Sequence, residues 1–382
     1  MLNDREVALG NLLSQIADEL NITPTMQDKA IRSYEAVGKW IGDGVDYDVK
    51  IMPQGSMNLG TVIRPIDDSD DYDMDLVCLL KNGSYLSLSE IKNLVGDRLK
   101  ENAVYKEKLE PEGKRCWTMQ YDEFHMDILP CVPKNQYFVE PHLTAIKLTD
   151  KRTDGTYQER YSNPYAYHNW FENQMKDVLL IEKRAFAAQN KTEISKVPTY
   201  RMRTPLQKTI QLLKRHRDIC FQSDDKNKPI SIIITTLAAL AYNGENNVYE
   251  ALCNIIKNMP TFIQNRDGIY WVENPVMPEE NFAEKWAINP SKRIAFFKWL
   301  TRAMKELIEN PLELYGINTI SEKLSLCLGE APVHRALKSL GEKARFERAA
   351  GNLYINGLSG GITTQKPSNG TGRIKEHTFF GK

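Results

Sequence analysis

The sequence predicts an α+β protein, a β-sheet with flanking helices packed against a mostly helical second lobe. Three observations carry that expectation. Tyr72–Leu80 and Phe124–Leu129 alternate with the period of a strand, so that Tyr72, Met74 and Leu76 share one face, as do Phe124, Met126 and Ile128. Ahead of them, Leu12 to Leu20 and the run through Ala30, Tyr34, Val37 and Ile41 are apolar at helical spacing. Beyond residue 200 nearly every apolar run reads as helix.

In chain order, the first two helices are expected to pack against the sheet, the second capped by Thr23 or Thr25. A short strand at Val49–Ile51 leads to Gly55-Ser56, which opens a turn or helix. A helix over Ser89–Leu99 takes its cap from Ser87 or Ser89, with Glu90 in its first turn. Residues 100–115 read as a charged connection to a strand Cys116–Tyr121, and a tight turn at Asp122-Glu123 sets the Asp127 strand beside it. Pro130 and Pro133 end that strand, Ala145–Leu148 is another, and Asp154-Gly155 is a turn.

Ser162-Asn-Pro leads into a helix through Ile181, and 184–200 is expected to be a flexible connector. Thr204-Pro205 caps a helix to Arg217 whose polar face carries Lys208, Lys214, Arg215 and Arg217, with His216 on its surface. Ile230–Leu240 has no single apolar face and reads as buried strand or buried helix. Further helices are expected at 246–258, before Trp286, at Ile294–Ile308 stopping short of Pro311, and at Ile320–Leu328. The division expected is 1–200 as a catalytic core, 201–350 as the helical lobe and 351–382 as a glycine-rich mobile tail.

Composition narrows the function. Lysine plus arginine equals aspartate plus glutamate at 50 each, which offers no general coat for a long nucleic acid. The longest apolar run, Ile230–Tyr242, falls short of a membrane span. With no secretory signal legible at the start, a cytoplasmic location is expected. Six cysteines without Cys-x-x-Cys spacing suggest reduced thiols rather than disulfides or structural zinc.

The chemistry concentrates in Met52–Leu80. Asp73 and Asp75 stand two apart on a strand, so both carboxylates share a face roughly 6–7 Å apart. Such a pair can hold Mg²⁺. Asp127 adds a third acid on a neighbouring strand, and three such acids can bridge two ions for in-line phosphoryl chemistry. Upstream, Gly55 allows close backbone approach, and its amides with the Ser56 hydroxyl can donate to a phosphate. A pocket for a triphosphate also needs cations, which the Lys214 helix can supply.

Gly55-Ser56, Asp73-x-Asp75 and Asp127 resemble the three-part signature of the polymerase-β-like nucleotidyltransferases. The longer strings Gln54-Gly-Ser, Gly60-Thr-Val-Ile-Arg-Pro65 and Tyr72-Asp-x-Asp-Leu-Val-Cys78 resemble the bacterial cGAS/DncV-like branch. The resemblance implies a bilobal, oligoadenylate-synthase-like architecture, with Asp73, Asp75 and Asp127 as catalytic ligands to two Mg²⁺ (or Mn²⁺). It implies that Gln54, Gly55, Ser56, Lys214 and Ser231 contact nucleotide, with Lys208, Arg215, Tyr165 and Asn281 as further candidates. Ser231 can equally cap its helix, Tyr165 can equally pack, and Asn281 can equally fix its loop.

The implied activity joins ribonucleoside triphosphates (ATP, GTP, UTP or CTP) into a cyclic di- or trinucleotide for anti-phage signalling, the product acting on a separate effector. The Lys375–Lys382 end suits capture by an accessory conjugation protein. Two readings compete with it: an enzyme making a linear product, and a catalytically silent nucleotide-binding regulator.

Overall fold

The alternating run Tyr72–Leu80 is the strand on which the main sheet is built. A computed structural model describes residues 2–67, 71–134, 144–189, 203–355, 362–363 and 372–374. The sheet contains β1 (Val49–Pro53), β2 (Tyr72–Leu80), β3 (Trp117–Gln120), β4 (Phe124–Pro133), β5 (Ile146–Lys151) and β6 (Tyr157–Ser162). Its order is β1-β2-β4-β5-β6, with β3 also paired to β4. Only β2 and β4 run parallel; the remaining pairs are antiparallel.

That parallel pair requires a crossover, which α4 supplies. Four helices precede or complete it: α1 (Asp4–Glu19), α2 (Pro24–Gly42), α3 (Gly55–Leu59) and α4 (Leu88–Glu101). Ser87 and Glu90 form a reciprocal capping box on α4. A short α5 (Ala103–Lys108) follows, capped by Asn102, where an irregular connection was expected. The turn at 122–123 closes as expected, with the Tyr121 amide donating to the Phe124 carbonyl. β4 continues through Pro130. That residue lies between the last β3 partner, Ile128, and the first β5 partner, Cys131, a gap that tolerates a residue without an N–H.

The inward face of β2 and β4 (Tyr72, Met74, Leu76, Phe124, Met126, Ile128) is buried with Val37 and Ile41 of α2 and Val95 and Leu99 of α4. Only α2 of the first two helices packs there. Leu9, Leu12, Leu13 and Ile16 of α1 bury instead in the helical lobe, because Asn3 and Thr23 cap two separate helices free to diverge. Helices α6 (Pro164–Gln174) and α7 (Lys176–Gln189), with Met175 at their junction, send Tyr167, Phe171, Met175 and Val178 into that same core. Core membership therefore cuts across the sequence division at residue 200. Residues 184–189 of the expected connector are helical, and 190–200 lie outside the described residues.

The second lobe is built from α8 (Pro205–Cys220), α9 (Ser231–Ala241), α10 (Val248–Asn258), α11 (Lys285–Ile288), α12 (Pro290–Met304), α13 (Asn310–Glu313), α14 (Ile317–Leu328) and α15 (Glu330–Ala349). The ambiguous run after Ile230 is thus a helix, apolar all round because it is buried all round. Short strands lie at 264–281, ahead of α11. The α12 run does not stop before Pro311. It passes through a π-helical turn, Lys305–Glu309, into α13, where proline occupies an opening position that needs no N–H donor. Of the glycine-rich tail, Tyr354–Ile355, Ile362–Thr363 and Gly372–Arg373 pair as a small antiparallel sheet; residues 356–361, 364–371 and 375–382 lie outside the described residues.

Candidate active site

Strand register assembles the carboxylates. In the parallel β2–β4 pair, Asp75 stands opposite Asp127 and Asp73 opposite His125. Because side chains alternate, the three acids share the face turned away from the Met74–Met126 core. Two-residue periodicity on each strand and the parallel register between them together converge the acids.

Helix α3 is brought against this face by Gln54, whose backbone amide donates to the Asp75 carbonyl at 2.8 Å. Gly55 then takes φ +59°, and a Cβ there would lie 2.3 Å from Asp75 Oδ2. Glycine is required both for the left-handed backbone and for the close approach. Ser56 is the next residue of α3.

The crowding has an electrostatic signature. Burial, then the charges of Asp127 and Asp73, push the Asp75 carboxyl up to about 6, with Lys214 acting in the opposite direction. Asp73 is also raised, first by burial and then by Asp127, against His125 and Lys228. Asp127 accepts a hydrogen bond on Oδ1 from the Thr118 hydroxyl. Three converging carboxylates, two of them (Asp73 and Asp75) with raised proton affinity, fit hard divalent cations: the donor set is all oxygen, and bound positive charge relieves the repulsion.

Helix α8 forms the other wall, and its polar face is not solvated. Gln207 Nε2 donates to the Leu59 carbonyl, Gln211 Nε2 to Val62, Lys214 Nζ to Thr61 and Arg215 Nη2 to both Arg64 and Pro65. These four side chains of α8 thus satisfy carbonyls between the end of α3 and β2. Burial foremost, then Arg217, push the Lys214 ammonium down to about 7, while Asp218 and Asp75 favour its charge. Lys214 is the α8 cation whose charge acts on Asp75.

The remaining candidates separate. Lys208 reaches away to Ser14 at 2.9 Å and Asp18 at 2.8 Å, tying α8 to α1. Ser231 accepts from Arg217 Nη1 at 2.8 Å and makes no cap bond on α9. Asn281 accepts from the Val272 and Ala283 amides and donates to the Tyr270 carbonyl, fixing its loop. Tyr165 is 52% exposed on the first turn of α6.

His216, expected on the surface, is fully buried. The Trp299 indole N–H donates to its Nδ1 at 3.0 Å, and its Nε2 lies 3.1 Å from Glu306. His216, Cys220 and Glu306 also form a candidate metal cluster, their ligand atoms all within 4.8 Å of one another. Indole is a donor only, so Nδ1 must accept and Nε2 must carry the proton given to Glu306. With both nitrogens engaged, this group locks α8 against α12 and stands apart from the carboxylates.

Sequence reasoning missed Thr118, Thr61, Gln207 and Gln211. Thr118 was recoverable: the turn at 122–123 pairs Tyr121 with Phe124, and counting outward sets Thr118 opposite Asp127. The α8 glutamines carried no such signal, since their partners are some 150 residues away in sequence.

Residues 49–130 match the family described as "Cyclic GMP-AMP synthase DncV-like, nucleotidyltransferase domain". Along 99% of its length the chain is 28% identical to a Roseivirga ehrenbergii protein named c-di-GMP synthase, covering 99% of that protein. Among solved structures, Bradyrhizobium diazoefficiens CdnG in complex with GTP superposes with a TM-score of 0.69 at 21% identity, over 87% of this chain and 99% of that one. Vibrio cholerae DncV cyclic AMP-GMP synthase with nonhydrolyzable GTP gives 0.52 at 14% identity, over 85% and 86%. These solved structures have the same bilobal fold.

Proposed function

From the premise that this chain belongs to the DncV-like nucleotidyltransferase family, within the polymerase-β-like superfamily, we propose the reaction that it catalyses. It joins ribonucleoside triphosphates into a cyclic di- or trinucleotide messenger, releasing pyrophosphate, as part of bacterial anti-phage signalling. The observation that carries the proposal is the β2–β4 register, which sets Asp75 opposite Asp127 with Asp73 one pleat away, directly against Gly55.

Asp73, Asp75 and Asp127 would hold two Mg²⁺ (or Mn²⁺). When bound, such ions supply charge neutralisation at the α-phosphate and at the attacking and leaving oxygens. The Gly55 and Ser56 amides and the Ser56 hydroxyl orient the β- and γ-phosphates. Gln54 fixes their distance from Asp75 through its backbone bond. Lys214, buried beside Asp75 with its ammonium disfavoured by burial, gains a charge partner that favours its protonated form when a polyanion arrives. Ser231, its oxygen already accepting from Arg217, is left with a hydrogen to donate to phosphate. The 2′- or 3′-hydroxyl of the acceptor attacks the α-phosphorus in line and pyrophosphate leaves. A second transfer within the same cleft closes the ring.

GTP is the first substrate to test, given the name of the Roseivirga relative and the ligand of the CdnG complex. The proposal includes a separate effector for the product and an accessory protein for the C-terminal segment. Among the described residues, no helix is long and apolar enough to cross a membrane. The test is incubation with each nucleoside triphosphate and all four together, with Mg²⁺ or Mn²⁺, followed by mass spectrometry and linkage-specific nuclease digestion. A cyclic product supports the reading. Only linear products would remove cyclisation, and no nucleotide transfer under any condition would sink the enzyme reading.

A further inference from the structure

We propose that Thr118 is a positioning residue for Asp127: it holds one carboxylate oxygen so that the other is presented to the cleft. The inference rests on the reading of Asp127 as a metal ligand.

Three observations carry it. Thr118 is the register partner of Asp127 in the antiparallel β3–β4 pair, so the two side chains stand on the same face at cross-strand distance. The Thr118 hydroxyl donates to Asp127 Oδ1. Among the described residues, the side chains of Asp73 and Asp75 receive no comparable hydrogen bond, so Asp127 is the one member of the triad oriented by another side chain.

The chemistry follows from carboxylate geometry. An ionised carboxylate offers two oxygens and about four lone-pair directions. A donor fixed on Oδ1 sets the side-chain torsion and leaves Oδ2 to face the cleft, favouring one-oxygen ligation of a single ion. Asp75, without such a donor, keeps both oxygens free to serve two ions. Threonine suits the task better than serine: its branched Cβ restricts χ1 on a strand, so the hydroxyl is aimed before any ligand arrives. Hydrogen-bond partners of metal ligands typically contribute 10–100-fold to affinity or activity.

Two variants separate positioning from packing. T118V keeps the branched shape and strand preference but removes the donor, whereas T118S keeps the donor. T118V is expected to lower kcat by about tenfold or more while leaving KM for the triphosphate unchanged, with T118S recovering most of the loss. A second readout does not depend on turnover: Mn²⁺ binding, followed by electron paramagnetic resonance with a nonhydrolysable triphosphate present. Wild type and T118S should bind two ions, and T118V should weaken one of them.

Wild-type kcat and Mn²⁺ binding in T118V would overturn the proposal, as would equal damage in T118S and T118V. D127N distinguishes this from failure of the underlying reading. If D127N keeps activity and both ions, Asp127 is not a ligand; if D127N fails while T118V is normal, only the role of Thr118 falls.

Discussion

The two walls of the cleft reach the same place by different routes. On the acidic wall, Asp73, Asp75 and Asp127 are placed by strand alternation and by one parallel register. On the basic wall, α8 carries four cations in ten residues, yet they end in different places. Lys208 ties to α1, Lys214 sits over Thr61 beside Asp75, Arg215 grips Arg64 and Pro65, and Arg217 holds Asp218 and Ser231. A strand presents its polar residues to one side, so neighbouring acids share a fate. A helix buried on every side sends each polar residue to a different neighbour, so adjacent cations do not.

Asp75→Asn offers the largest expected effect and tests the acidic wall. Product formation should fall roughly a thousandfold or more, since the interaction removed serves the transition state. The same substitution tests the electrostatics. A carboxyl with its folded pKa raised to about 6 binds more protons folded than unfolded between about 4 and 6, so stability is lost as pH rises through that window. Metal-free D75N should therefore match wild type near pH 4 and exceed it by about 2–3 kcal/mol at pH 7 and above. Denaturant melts in chelator across that range would check this, and an advantage confined to acid pH would contradict the assignment.

Lys214→Met comes next and asks whether the basic wall does more than pack. A lysine depressed to about 7 binds fewer protons folded than unfolded up to its ordinary value near 10.5, so wild-type stability should rise with pH across that interval. K214M should flatten that rise. It should also raise KM for the triphosphate by about tenfold, since a charge-assisted contact contributes roughly 1.5 kcal/mol or more. An unchanged KM would make α8 a purely structural wall.

Gln211→Ala would leave the Val62 carbonyl buried without its partner, at a cost of about 1–3 kcal/mol. Thermal melts should show the loss, with activity falling because the segment behind α3 loosens. Lys208→Met is the smallest. Its partner Asp18 is partly exposed, so the pair contributes less than about 1 kcal/mol, and steady-state KM should not change. A strong KM effect in K208M would return Lys208 to the nucleotide site and erase the distinction among the α8 cations.

Much of this was legible because short-range rules suffice for strands and caps. Alternation located β2 and β4, and the turn at 122–123 paired β3 with β4. Thr23, Ser87 and Thr204 announced three helix starts. The misplacements share one cause. Sending α1 to the sheet, His216 to the surface and 184–189 to a connector each required knowing which distant element would offer a hydrophobic surface. In the structure, His216 meets Trp299 and Glu306 of later helices, and α1 meets α10 and α15.

By itself, then, the sequence determined the faces of the acidic half: period-two alternation is a property of the local backbone, and it puts Asp73 with Asp75 on one face of β2 and Asp127 opposite the apolar face of β4, where the β2–β4 register joins them. Only the tertiary structure decided what surrounds them. It put Gly55 in the left-handed region against Asp75, aimed Thr118 at Asp127, and chose Lys214 from four cations to lie beside the acids. Those outcomes depend on which carbonyls and apolar faces the two lobes bring together, which no local periodicity encodes.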